Sequence, residues 1–169
     1  MTVEIFEGDL TDAPADAICT STNPRLSLMM GSGGAVRERG GFEVLRECEA
    51  ITGGKLVPPG SVHVTTAGAL PYKAAIHCVA SNQTHMTSIA IIKACVRNAI
   101  ARAASAGWTT IAMPVFGSGH ARFKFDDALV AMLDAIEETR LPIRIVIAIN
   151  DPARAESARR VLLSARSSR

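Results

Sequence analysis

Two glycine-rich segments hold the residues of this chain whose types and spacing could do chemistry. The first is Met29-Met30-Gly31-Ser32-Gly33-Gly34, running on into Ala35-Val36; the second is Phe116-Gly117-Ser118-Gly119-His120. Each is fed by an apolar run that reads as a strand. Ala17-Ile18-Cys19 leads to Thr22-Asn23 and the first segment, and Thr110 to Val115 leads to the second. Glycine has no Cβ, so such loops turn sharply and bring backbone N–H groups close to anionic oxygens. One loop of this kind is weak evidence for a phosphate site. Two in a small α/β chain suggest a ligand with more than one phosphate, clasped from both sides.

The elements that must position these loops follow from hydrophobic periodicity. Val3 to Glu7 alternates as a short strand, Gly8 to Asp12 breaks it, and Ala15 to Thr20 reads as a buried strand. After the first glycine loop, Ala35 to Arg39 makes a short helix interrupted by Gly40-Gly41. Phe42, Leu45, Cys48 and Ile51 then mark an amphipathic helix ended by Gly53-Gly54. Val62 to Thr66 and Ala74 to Val79 read as strands. Ile89, Ile92, Val96, Ile100 and Ala103 mark a long helix closed by Gly107. Ile111 to Val115 is the next strand. Asp126 is placed to N-cap a helix carrying Leu129, Met132, Leu133 and Ile136. Ile143 to Ile149 is almost wholly β-branched, and Ala158, Val161, Leu162 and Ala165 mark a closing helix. Continuously apolar strands alternating with helices predict a sheet covered on both faces, hence three α/β layers. One domain is expected over 1–165, with a short basic tail over 166–169.

The composition, 48% hydrophobic and 20% charged, is that of a soluble globular protein. No run approaches the roughly 20 apolar residues of a membrane span. The first residues show no basic segment followed by an apolar one, so no signal peptide is expected, and a cytoplasmic protein of bacterial type fits best. Cys19, Cys48, Cys78 and Cys95 form no CxxC pair and fall inside the predicted strands and helices, which favours buried reduced thiols over disulfides or metal. The net charge of +2 hides an asymmetry, because residues 152–169 hold Arg154, Arg159, Arg160, Arg166 and Arg169 against Glu156 alone. A basic terminal helix could touch nucleic acid. The reading we prefer is a solvated face that complements the helix dipole.

The order Gly8-Asp9-Leu10-Thr11, Asp16-Ala17-Ile18-Cys19-Thr20-Ser21-Thr22-Asn23 and Gly31-Ser32-Gly33-Gly34-Ala35-Val36 resembles the macrodomain family, whose N-terminal pattern reads GDIT, DAIVNAAN and a GVDGAI-type loop. Gly60-Ser61-Val62 and Tyr72 to His77 are similar to its next two strands. Ile111-Ala112-Met113-Pro114-Val115-Phe116-Gly117-Ser118-Gly119 is similar to its IAFPALGTG strand and second loop. The resemblance is colinear from about residue 3 to residue 165. It implies a three-layer α/β/α sandwich around a mixed, mostly parallel sheet. It also implies a cleft at the carboxyl ends of the central strands that takes ADP-ribose or ADP-ribosylated substrates, with no cofactor and no metal.

Carried over residue by residue, the resemblance assigns the Asp9 carboxylate to the adenine amine and the Leu10 N–H to the ring. A turn or N-cap role is the other reading of Asp9. Asn23, with Thr20 at the first Asn position of the pattern, would hold the distal ribose, unless Asn23 is simply an Asn-Pro turn residue. Gly31, Ser32, Gly33, Gly34, Ala35 and Val36 would present backbone donors and a helix N-terminus to the diphosphate. Phe116, Gly117, Ser118, Gly119, His120, Ala121 and Arg122 would close the other side, with Phe123 either near the ribose or in the core. His120 and Arg122 are unusual in a loop that is small and neutral in the family; they either pair with phosphate or project into water. Asn150 stands at the end of the last strand, where an aromatic would serve the adenine, and leaves Phe6 as the nearest ring in sequence. His63 and His77 lie within strands and read as structural histidines, and His85 falls on a polar connection.

Catalysis stays open at this point. Thr20 lacks the amide of the family's first Asn, and Gly33 stands where the hydrolysing branch carries an Asp that places water. Hydrolysis of ADP-ribosyl linkages or small ADP-ribose esters would then need the substrate's own phosphate, or His120 as base with Asn23 holding the sugar. A non-catalytic reader module is the alternative. A nicotinamide oxidoreductase is disfavoured by Val36 in place of a third glycine. Gly117-Ser118-Gly119 does not make a serine-hydrolase elbow.

Overall fold

Six strands build one sheet in the computed structural model, which describes residues 2–167. They are β1 (Val3–Glu7), β2 (Ala17–Thr22), β3 (Val62–Thr65), β4 (Ala74–Val79), β5 (Thr110–Met113) and β6 (Arg144–Ile149), in the order β1-β6-β5-β2-β4-β3. Every neighbouring pair is parallel except β3 with β4, where Val62 faces Cys78. The helices are α1 (Gly31–Gly40), α2 (Phe42–Thr52), α3 (Ile89–Ser105), α4 (Phe125–Thr139) and α5 (Pro152–Ser167).

The strands are apolar along their length because alternate residues enter two different cores. Ala17 and Cys19 of β2, and Ile145, Ile147 and Ile149 of β6, pack on one face with Ile92, Val96 and Ile100 of α3, Leu129 and Met132 of α4, and Ala155 and Ala158 of α5. Ile18, Val146 and Ala148 pack on the other with Val36 of α1, Val44 and Cys48 of α2, and Leu26 and Leu28 from the β2–α1 connection. This is the expected three-layer sandwich. All four cysteines are buried and free, and burial pushes the Cys48 and Cys95 thiols up to about 12, away from thiolate reactivity.

Two polar clusters brace the sheet. Asp16 accepts hydrogen bonds from the Thr109 N–H at 2.8 Å and the Thr110 N–H at 3.2 Å, and pairs with Lys73 at 2.7 Å, tying together the starts of β2, β4 and β5. Chiefly through the Lys73 contact, its carboxyl is held well below the usual carboxylate range. Within the sheet, the fully buried His77 lies 2.8 Å from Thr20 Oγ1 through Nδ1 and 2.8 Å from Thr65 Oγ1 through Nε2. The Thr65 hydroxyl gives its proton to the Thr66 carbonyl, so it accepts from Nε2–H, and Nδ1 accepts from the Thr20 hydroxyl. Burial, with His63 nearby, lowers the His77 pKa to about 4. His63 is likewise engaged, 2.9 Å from Ser61 Oγ.

Several boundaries differ from the periodicity reading. Gly31 to Gly34 are the first turn of α1, not a loop before it. Helix α4 starts two residues earlier than expected, with Lys124 at the cap position in place of Asp126. Asp126 sits inside the first turn and instead accepts from Ser157 Oγ at 3.2 Å, linking α4 to α5. Helix α5 runs to Ser167, into the expected tail, while Ser168 and Arg169 lie outside the described residues. On its surface Arg159 is engaged by Glu7 at 2.8 Å and by Glu156 at 3.8 Å.

The connectivity itself makes a crevice. Strand β2 feeds α1 in one layer, whereas its neighbour β5 feeds α4 in the other. The two chains diverge past the carboxyl ends of adjacent parallel strands, and open α/β sheets hold ligands at such a point.

Candidate functional site

A cleft of about 660 Å³ occupies that divergence. Its floor is built from strand ends: Gly8, Asp9 and Leu10 after β1, Ser21 to Asn23 at and just past the end of β2, Ala80 and Ser81 after β4, Pro114 and Val115 after β5, and Ala148 to Asp151 at and just past the end of β6. One wall is the start of α1, where Met30, Gly31, Ser32 and Ala35 face the space, and the opposite wall is Gly117 to Ala121.

The two walls are built differently. At α1, Met30 occupies the cap position with extended backbone and makes no side-chain cap hydrogen bond. The first-turn amides therefore keep the unsatisfied donors that every helix start has, beside the positive end of the dipole. Ser32 anchors the turn by accepting from the Ser21 N–H at 2.9 Å. In the facing loop, Gly117 has φ +77° and packs so closely that a Cβ there would meet Thr87 Cγ2 at 2.8 Å. The Phe123 N–H closes this loop on the Gly117 carbonyl at 3.0 Å, and the Ser118 hydroxyl donates to the Val115 carbonyl at 2.9 Å.

Of the residues singled out from sequence, Asp9, Leu10, Asn23, Gly31, Ser32, Ala35, Gly117, Ser118, Gly119, His120, Ala121 and Asn150 line the cleft. The cap reading of Asp9 holds, since Oδ1 caps the short 3-10 turn by accepting from the Thr11 N–H at 2.8 Å and from the Thr11 hydroxyl, and the residue also lines the cleft. Asn23 is likewise a turn residue that lines the cleft, with Oδ1 accepting from the Arg25 N–H at 3.0 Å and Nδ2 donating to Ser27 Oγ at 2.7 Å.

The structure corrects the other assignments. Thr20 is fully buried on His77 and does not reach the cleft. Gly33 faces inward, where a Cβ would meet Leu28 Cδ2 at 3.1 Å, so an aspartate there would point into the core instead of over a ligand. Gly34 spends its N–H on the Met30 carbonyl at 3.1 Å, and Val36 is a core residue. Phe116 is completely buried, Phe123 packs against the same core, and Arg122, with φ +52°, lies outside the lining. Phe6 packs against Gly8 and the α1–α2 core and is likewise not in the lining.

The family model for the Macro domain matches residues 19–132. The chain belongs to the macrodomain family. A macro domain-containing protein of Streptomyces coelicolor is 30% identical over 161 residues, covering 92% of this chain and 95% of that protein. The O-acetyl-ADP-ribose deacetylase of Enterobacter cloacae is 34% identical over 124 residues, covering 69% and 67%. A mutant Oceanobacillus iheyensis macrodomain solved with ADPR superposes with a TM-score of 0.90 at 22% identity, covering 98% of this chain and 94% of that one.

The cleft of this macrodomain also contains residues that sequence reasoning passed over. His85 has φ +60° and meets His120 edge to face, with ring centroids 4.8 Å apart and planes at 88°. Phe125 and Arg154 line the end near Asp9 and Asn150, the Arg154 guanidinium carbon lying 5.3 Å from the Phe125 ring centroid. Ser27 and Ser81 add hydroxyl-bearing residues, and Met29 and Met30 are exposed apolar residues at the α1 rim. The ionisable groups of the lining are divided between its two sides. Both carboxylates, Asp9 and Asp151, belong to the β1–β6 side, and the two histidines belong to the connection after β4 and the loop after β5.

Proposed function

We propose that this cleft binds ADP-ribose, free or as an ADP-ribosyl group. The observation that carries the reading is the pair of facing walls: an uncapped helix start at Gly31 and a tight glycine loop at Gly117 to Ala121, across a space of about 660 Å³. Backbone N–H groups at a helix start suit the diphosphate without a lysine or a metal. Asp9, at the side of the cleft that also holds Asn150, suits an exocyclic amine as hydrogen-bond donor. Asn23 and the loop with His120 suit the distal ribose. Family membership supports the same reading, as does the ADPR-bound relative with the same fold.

A second reading, hydrolysis of ADP-ribosyl linkages or of small ADP-ribose esters, is favoured by the deacetylase relative. The chemistry of this lining restricts its mechanism. With Gly33 turned into the core, no carboxylate of the described lining lies on the α1 wall. Water attack would rely on His120, beside His85, or on an oxygen of the substrate's own phosphate. A reader of ADP-ribosyl groups without turnover needs neither.

Calorimetric titration with ADP-ribose, with ADP and NAD as comparators, tests the binding reading. Selective micromolar binding of ADP-ribose supports it, and no heat with any of the three overturns it. Incubation with O-acetyl-ADP-ribose, followed by chromatography, tests the second. Turnover that falls in His120→Ala supports His120 as base, and no turnover by the wild type leaves the reader function.

A further inference from the structure

Arg154 lines the wall of the cleft at the start of α5. Among the described residues Arg154 makes no ion pair, and its guanidinium carbon lies over the Phe125 ring, 5.3 Å from the centroid. Its backbone is fixed, because the Arg154 N–H donates to Asp151 Oδ1 at 3.0 Å at the start of α5. Phe125 is fixed as the first residue of α4, in the core that α4 and α5 share. A guanidinium over an aromatic ring, with both residues lining the cleft, stands at the start of the helix that follows β6 and Asn150.

We infer that Arg154, backed by Phe125, is the surface on which this protein stacks the purine of its ligand. The inference rests on the ADP-ribose reading and adds the residue that grips the base. Guanidinium groups stack on π systems and are weakly hydrated, so a base laid on Arg154 completes a layer of ring, cation and ring at little desolvation cost. Such stacking divides the labour of base recognition: Asp9 selects the amine through one hydrogen bond, whereas Arg154 grips any purine face. A cation at this place could instead act by charge alone, attracting the diphosphate, or could merely join α4 to α5. These roles respond differently to substitution.

The experiment compares wild type, Arg154→Ala and Arg154→Lys by calorimetry with ADP-ribose, and by NMR titration with ribose 5-phosphate, which has no base. Thermal midpoints are recorded alongside. Alanine substitution at base-stacking positions typically weakens binding by roughly five- to a hundredfold. Arg154→Ala should show a loss in that range for ADP-ribose and none for ribose 5-phosphate. Arg154→Lys should keep most of the loss, since lysine retains the charge without the plane. Wild-type affinity in Arg154→Ala, recovery in Arg154→Lys, or an equal loss on ribose 5-phosphate each overturns the stacking role. A lowered thermal midpoint with unchanged affinity assigns the pair to helix packing instead. A wild type that binds no ADP-ribose is a separate failure: it removes the functional reading and this inference with it.

Discussion

Replacing Thr20 by Val separates architecture from recognition at the position where the two were most easily confused. Valine keeps the β-branched shape that suits a central strand and leaves no cavity, so the change removes the hydroxyl alone. In the native protein that hydroxyl donates to Nδ1 of His77, whose Nε2–H is already committed to Thr65. His77 is completely buried, so no water replaces the lost donor, and Nδ1 becomes an unsatisfied acceptor. Such a loss costs about 1–3 kcal/mol. For a domain of this size that lowers the melting midpoint by about 2–4 °C per kcal/mol. Urea denaturation with a fixed m-value reads the stability change, and calorimetry reads affinity for ADP-ribose, which should match wild type because Thr20 does not line the cleft. Wild-type stability would refute the weight placed on the Thr20–His77 bond. Full stability with weakened binding would return Thr20 to the ligand set.

Three further outcomes are expected. His77, with its pKa lowered to about 4 against a usual 6.5, stays neutral while the unfolded chain takes up a proton. Its contribution, on the order of 3 kcal/mol, is therefore complete above pH 6.5 and is lost as pH falls toward 4; an NMR titration in which the His77 ring protonates near 6.5 contradicts this. Asp9→Ala should weaken ADP-ribose binding by about 1–3 kcal/mol through a lost charged hydrogen bond, and should cost about 1 kcal/mol of stability as a lost cap. Equal affinity in mutant and wild type would sink the adenine assignment. Gly117→Ala forces a Cβ into left-handed backbone and against Thr87, so stability should fall by at least about 1–2 kcal/mol with weaker binding; a mutant as stable as wild type in denaturation contradicts the close packing.

The layers were legible in the sequence because burial on both faces writes itself as uninterrupted apolar strands, as in Ile145 to Ile149. The cleft's location was legible too, since the glycine segments follow β2 and β5. What periodicity does not reveal is which way a single residue turns. Thr20 and Ser21 are adjacent, yet one is sealed on His77 and the other lines the cleft. The glycines of 31–34 belong to a helix even though glycine is a poor helix former, because packing and not propensity decides that turn. Phe125, Arg154 and His85 were missed for a different reason. Each comes from a segment with no motif of its own, and only the tertiary fold brings it beside Asp9 or His120.

An amide-resolved NMR titration of the intact chain with ADP-ribose tests the central claim most directly. The account predicts that the largest shifts fall on Gly31 and Ser32 at the start of α1, on Gly119 and His120 across the cleft, and on Asp9 and Leu10 at its base end, while the outer strand β3 stays still. Saturating ligand that moves none of these amides, or shifts clustered on another face of the sheet, would contradict it.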